Sequence, residues 1–249
     1  GQPTCDLIAR ALGGVMDITG PEGGPPSKVG RGVGDIFTAA LNCSGILAAV
    51  HRRERTGEGQ FVDTGMYDAM ISLCERSIYQ YSYTGEAPSR RGNAHPTLFP
   101  YNAFEAADGH VVIAAFNDRH WRNLCESMSR PDLAAEYDAA ADRLRNLDQL
   151  RDEIAEWTRD RPADAIVGEL EGSVPSAPVQ DTADIFADDH PRAREMLVEV
   201  DQPGADRGVT IAGSPIKMSE TNPQPGERAP LVDEHREELL DPPQARSDD

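Results

Sequence analysis

Gly30-Arg31-Gly32-Val33-Gly34-Asp35 sets an acid directly after three glycines and ahead of a long apolar run. Glycine carries no Cβ, so backbone and ligand can approach closely there. The run predicts a helix, and the first N–H groups of a helix lack internal acceptors and attract anions. Asp35 would then be a carboxylate facing whatever sits at the helix end. Two readings stay open: a catalytic carboxylate, or an N-cap worth about 1 kcal/mol and nothing more. The stretch is not the dinucleotide fingerprint, and no strand pattern precedes it.

Three further stretches carry polar chemistry. Arg52 to Gln60 has arginines ahead of Thr56-Gly57-Glu58-Gly59, a helix stop and turn by its glycines. Its alternative role is an arginine beside a polyanionic ligand. Arg91-Gly92-Asn93-Ala94-His95-Pro96 is a polar loop with a titratable imidazole, and Gly92, Asn93 and His95 are its candidate substrate-contacting residues. His120 beside Trp121 falls on an amphipathic helix and reads as structural, while Asp108 is explained by its turn. There is no GxSxG, HExxH or P-loop. Cys5, Cys43, Cys74 and Cys125 are widely spaced with no metal-ligand pattern, so no metal site is expected. Cys43 and Cys74 read as small core residues, and a reduced, cytoplasmic setting is the default.

The elements that must position these residues follow from periodicity. Thr4 can cap a helix from Cys5 to about Met16. A Gly- and Pro-rich loop follows, and Asp35 opens a helix to about Arg53, apolar nearly all round and expected to be buried. A short strand is predicted over Gln60-Phe61-Val62-Asp63 and a second long helix over Gly65 to Tyr83. Asp108-Gly109 between two apolar runs predicts a hairpin over 101–105 and 110–114. Helices are expected at 118–128, 145–160 and 162–171, and a short extended piece at 174–179. A capped segment at 181–186, a helix at 192–196, extended pieces at 197–201 and 208–212, a helix at 233–240 and a disordered tail from Asp241 complete the pattern. The Pro-rich borders of region 86–175 mark it as a small α+β domain inserted between 1–85 and 176–249.

Length and composition bound the partners. The chain has 249 residues, 39% of them hydrophobic, enough for a sizeable core. Its 43 acids against 24 bases give a net charge of −19, which disfavours nucleic acid and anionic membranes. No apolar run is expected to reach a membrane span of about 18–20 residues. Lys28 and Lys217 are the only lysines against 22 arginines. Many acids with almost no lysine read as a protein for high salt, where a Debye length of about 3 Å silences carboxylate repulsion. An ordinary acidic protein from GC-biased codons is the alternative.

Taken in order, the motifs resemble the class III CoA-transferases, formyl-CoA and carnitine CoA-transferases among them. The set is Asp6-Leu7-Ile8-Ala9-Arg10-Ala11-Leu12-Gly13-Gly14, Thr19-Gly20, Gly34-Asp35, Gly45-Ile46-Leu47-Ala48-Ala49, Thr56-Gly57-Glu58-Gly59-Gln60 and Met66-Tyr67-Asp68. Arg91-Gly92-Asn93, Phe104 with Asp108-Gly109, Trp121, Pro175 with Pro178-Val179, Gly213-Ser214-Pro215 and Ala229-Pro230-Leu231 with Glu234-His235 continue it. The likeness covers nearly the whole chain.

The resemblance implies an α/β fold: the C-terminal part of a Rossmann-like large domain plus a small α+β domain. It implies that Asp35 is the nucleophile passing CoA from an acyl-CoA to a carboxylic acid, through an aspartyl anhydride and an aspartyl-CoA thioester. Pro3, Thr4, Cys5, Asp6 and Met66 fall where family members touch CoA, which serves as substrate rather than as a resident cofactor. An arginine such as Arg90 or Arg91 is a candidate partner for a distal substrate carboxylate. Interlocked homodimers are implied, as is a missing first third: the chain opens at Gly1 without Met. Two departures stand out, a single Gly92 where some members carry a glycine run, and Asp233 in place of a C-terminal glycine. A 2-methylacyl-CoA racemase branch pairs the aspartate with a His, but Cys5 stands at that position. A non-catalytic acyl-CoA-binding fragment is the remaining alternative.

Overall fold

A computed structural model of the chain describes residues 4–204, 206–225 and 228–240. The chain divides into two units, Gly1–Val179 and Gln180–Asp249.

The first unit opens with four helices: α1 (Asp6–Leu12), α2 (Val33–Thr56), α3 (Met66–Leu73) and α4 (Glu75–Thr84). Ala9, Val15, Ala69, Met70 and Cys74 form their small core, with Ile18, Val29, Phe37 and Met66 packed against it. The hairpin β1 (Tyr101–Ala106) and β2 (Gly109–Ala114) follows, then α5 (Asp118–Ser127), α6 (Pro131–Glu136), α7 (Ala140–Arg145), α8 (Leu147–Arg159), α9 (Ala163–Leu170) and β3 (Ser176–Pro178). The three strands form an antiparallel sheet in the order β1-β2-β3, with Phe104 opposite Val111. Alternate residues Phe104, Ala106, Val111 and Ile113 point inward and join Trp121, Leu124, Leu150, Ile154, Ile166 and Leu170 in the larger core. Asp108, expected to serve its turn alone, also accepts from the Ala163 N–H at 2.9 Å and so caps α9. Buried Arg143 donates to the Tyr137, Asp138 and Phe99 carbonyls and pairs with Asp118 at 2.6 Å. His120 is buried, as is Trp121 beside it.

The second unit contains α10 (Thr182–Ala187), α11 (Asp189–Ala193), the antiparallel pair β4 (Leu197–Val200) and β5 (Val209–Ala212), and α12 (Arg236–Leu240). Asp181 and Asp184 form a reciprocal capping box at the start of α10. The Arg228 guanidinium, first, and the Leu231 N–H lower the Glu234 carboxyl to about 2. The tail from Asp241 lies outside the described residues.

Several expectations are corrected. The segment 60–63 joins no sheet among the described residues; it lies along α2, where Thr64 donates to Asn42 at 3.2 Å. The expected long helix 65–83 is two helices broken at Cys74, with no Gly or Pro to signal it. The helix expected at 192–196 is α11, which starts earlier because the Asp188 carboxylate caps the His190 N–H at 2.8 Å. Most consequential is α2. It was expected to be buried, yet Gly34 and Thr38 alone are buried along it. Ile36 is 67% and Leu47 64% exposed. Cys43 is therefore exposed, whereas Cys74 is buried. With its charges confined to the ends, α2 also contains an 18-residue window of mean hydropathy 1.6, long and apolar enough to cross a membrane by length and composition. This overturns the expected absence of such a run.

Candidate functional site

Asp35 does not cap its helix. The helix begins two residues earlier, with Gly32 at the N-cap (φ 25°) and the Ile36 N–H bonded to the Gly32 carbonyl at 2.8 Å. Asp35 is thus the third residue of the first turn, where a carboxylate gains about 0.3–1 kcal/mol from the helix dipole. Its side chain is exposed and forms no hydrogen bond or ion pair among the described residues. The structural duty that competed with a chemical one at the sequence level is absent.

What fixes this turn is another acid. The Asp6 carboxylate accepts from the Gly34 N–H at 2.8 Å and pairs with Arg10 one turn along α1. Arg10 is fully buried and also donates to the Val29 carbonyl. A Cβ at residue 34 would lie 2.9 Å from the Asp6 carboxylate oxygen, so a side chain there would crowd this contact. Thr38 closes the turn by donating to the Gly34 carbonyl at 2.6 Å. The structure therefore brings Asp6 against the Asp35 turn, with its carboxylate engaged inside the protein. Cys5 is the N-cap of α1, exposed and making no cap bond with its side chain. Thr4 is exposed, Met66 is half-buried at the start of α3, and Pro3 lies outside the described residues.

The loop residues gather elsewhere. Gly92 donates its N–H to the Gly20 carbonyl at 2.9 Å, tying the loop to the 17–29 segment. Asn93 is exposed and His95 half-buried. The His95 ring accepts from the Thr97 N–H at 3.2 Å through Nδ1, meets Arg76 at 3.4 Å through Nε2 and tilts against Tyr101. Burial, first, and the Arg76 charge hold its pKa below the usual imidazole value. No hydrogen bond joins Gly92, Asn93 or His95 to Asp35 among the described residues. Arg90 is not available to a substrate: it donates to the Gly24 and Asp17 carbonyls and pairs with the Asp17 carboxylate at 2.9 Å. Arg52 grips Glu58, as the turn reading requires.

Between α4 and the 86–97 loop lies a cavity of about 650 Å3, lined by Arg76, Gln80, Thr84, Arg91, Gly92 and neighbours. Sequence reasoning passed over Arg76, Gln80 and Thr84. Their four-residue spacing puts them on one polar stripe of α4, a legible signal once the helix is bounded. No group of three His, Cys, Asp or Glu poised to hold a metal exists among the described residues.

Residues 1–236 match the family model described as CoA-transferase family III. Over 241 residues the chain is 68% identical to a succinyl-CoA:mesaconate CoA-transferase of Haloarcula hispanica and 69% identical to one of Haloarcula marismortui. Each alignment takes in 97% of this chain and 61% of the relative, so the chain spans about 61% of the length of these two relatives. A crystal structure of a CAIB/BAIF family protein from Brucella suis superposes with a TM-score of 0.82 at 30% identity, over 96% of this chain and 63% of that one.

Proposed function

Because the chain belongs to CoA-transferase family III, we propose that it moves coenzyme A from an acyl-CoA to a carboxylic acid on Asp35, with succinyl-CoA and mesaconate as the pair. The single observation that carries the reading is the Asp35 carboxylate on the first turn of α2, without a partner among the described residues while Asp6 accepts the Gly34 N–H. The substrate pair is drawn from the names of the two Haloarcula relatives.

The chemistry balances without a net proton. An Asp35 oxygen attacks the thioester carbonyl, the C–S bond breaks, and a mixed anhydride and CoA thiolate result. The thiolate attacks the aspartyl carbonyl, releasing the donor acid as carboxylate and leaving an aspartyl-CoA thioester. The acceptor carboxylate attacks that thioester, giving a second anhydride and thiolate. The thiolate then attacks the acceptor carbonyl, forms the new acyl-CoA and restores the Asp35 carboxylate. N–H groups at the start of α2 are suited to the oxyanion formed at each attack.

The remaining elements of the reading are a Rossmann-like large domain, a homodimer, a cytoplasmic and halophilic setting, and CoA contacts from Pro3, Thr4, Cys5 and Met66. Asp6 enters as the group that holds the turn. The division at 85 and 175 is supported by the two separate hydrophobic clusters of the first unit. The Haloarcula relatives support the high-salt setting, and membership in the family supports a CoA site.

The test uses the complete protein with succinyl-CoA, hydroxylamine trapping and peptide mapping. A hydroxamate at Asp35 is expected, and Asp35→Asn should lower transfer by about a thousandfold or more. Transfer persisting in Asp35→Ala overturns the reading. CoA affinity without transfer in the unmodified protein would leave only a binding role.

A further inference from the structure

We infer that the cavity beside α4 anchors the free carboxylate of a dicarboxylic acid between Arg76 and Arg91. The inference deepens the transfer reading and rests on it for the fate of the acid, though not for its binding.

Three observations carry it. First, the cavity is lined by two arginines, and neither enters an ion pair among the described residues. Arg76 makes long contacts with neutral groups, Thr97 at 3.3 Å and the His95 ring at 3.4 Å. A guanidinium is satisfied best by a carboxylate in the bidentate geometry, and none is supplied from within. The Glu86 carboxylate, also at the cavity wall, pairs with neither arginine. Second, the remaining wall suits a short carbon chain: Ile18, Leu73, Pro88 and Pro96 supply apolar surface. That mixture fits a small dicarboxylate better than a phosphate, which offers no apolar body to cover. Third, the cavity loop is tied into the frame that holds Asp35. Gly92 bonds to Gly20, and Arg90 clamps Asp17 and Gly24. From the same segment, the Val29 carbonyl is held by Arg10, Arg10 by Asp6, and Asp6 by the Gly34 N–H. Arg90 is spent on this clamp, which leaves Arg91, with Arg76 lining the same cavity, to meet a ligand.

The experiment measures binding directly in the complete protein. Succinate and butyramide, of equal carbon number, the amide carrying no carboxylate, are titrated by calorimetry and by the His95 ring signals. Succinate is expected to bind at least about tenfold more tightly. Arg76→Gln and Arg91→Gln should each weaken succinate by about tenfold and leave butyramide unchanged, with Arg91→Lys restoring part of the loss. Both side chains are exposed, so unfolding temperatures should stay at the wild-type value. Equal affinity for succinate and butyramide, or succinate binding untouched by both substitutions, overturns the inference. So does displacement of succinate by adenosine 3′,5′-bisphosphate in wild type that is lost in the Gln variants, because the pair would then be a phosphate site. Turnover read on the same samples separates the two failures. Succinate binding without CoA transfer keeps the cavity and overturns the transfer reading. Transfer whose acid KM ignores both substitutions overturns the cavity alone.

Discussion

The Asp35 carboxylate has no partner among the described residues, while a different acid, Asp6, accepts the N–H beside it. Arg10 sits at 0% exposure and Asp6 at 17%, so this pair is shielded from water. Truncating one partner of a buried pair leaves the other charge uncompensated, at about 3 kcal/mol or more. Asp6→Ala should therefore lose about 3 kcal/mol in urea unfolding. Asp17→Ala, whose carboxylate is 65% exposed against Arg90, should lose about 1 kcal/mol or less. Equal losses for the two would refute the buried-clamp account. The family likeness pointed to both residues, Asp35 as the nucleophile and Asp6 as a CoA contact. The contact with Gly34 spans 28 positions, and no local pattern encodes a contact of that range.

At the level of elements, local signals carried the hairpin, α5, α8, α9 and the cap of α10, because turn glycine, alternation and capping acids act between near neighbours. They did not carry the break at Cys74 or the fate of segment 60–63. A strand needs a partner, and its own residues do not reveal whether one lies alongside. Helix α2 was expected to be covered on all sides, yet Ile36, Ile46 and Leu47 face solvent in this chain. Apolar area left in water costs about 25 cal/mol per Å2, so this face favours association. The isolated chain should self-associate as its concentration rises, read by sedimentation velocity. The double substitution Ile36→Gln with Leu47→Gln should shift it toward the monomer. A wild-type chain that stays monomeric at high concentration contradicts this account of α2.

Over the whole molecule, 43 acids against 24 bases set a long-range repulsion that no single pair describes. Many of the ion pairs are exposed, such as Arg122 with Asp138 and Arg151 with Asp148, and such pairs contribute little each. The net charge should therefore dominate the salt response. Between about 0.1 M and 1 M KCl the Debye length falls from about 10 Å to about 3 Å. The unfolding temperature should climb by several degrees over that interval and flatten beyond it. A temperature that is flat or falling with KCl removes the support for a high-salt protein.

The sequence by itself determined the order of motifs, the family likeness, the acidic balance and the placement of an aspartate after a glycine loop. These depend on residue identity and near-neighbour spacing, which are written along the chain. Tertiary structure alone decided that Asp6 and Arg10 hold the Asp35 turn, that Arg90 is consumed by Asp17, and that Arg76 lines the same cavity as Arg91. Each depends on which distant groups arrive at one point in space, and with them on which charges are already satisfied and which remain to meet a ligand.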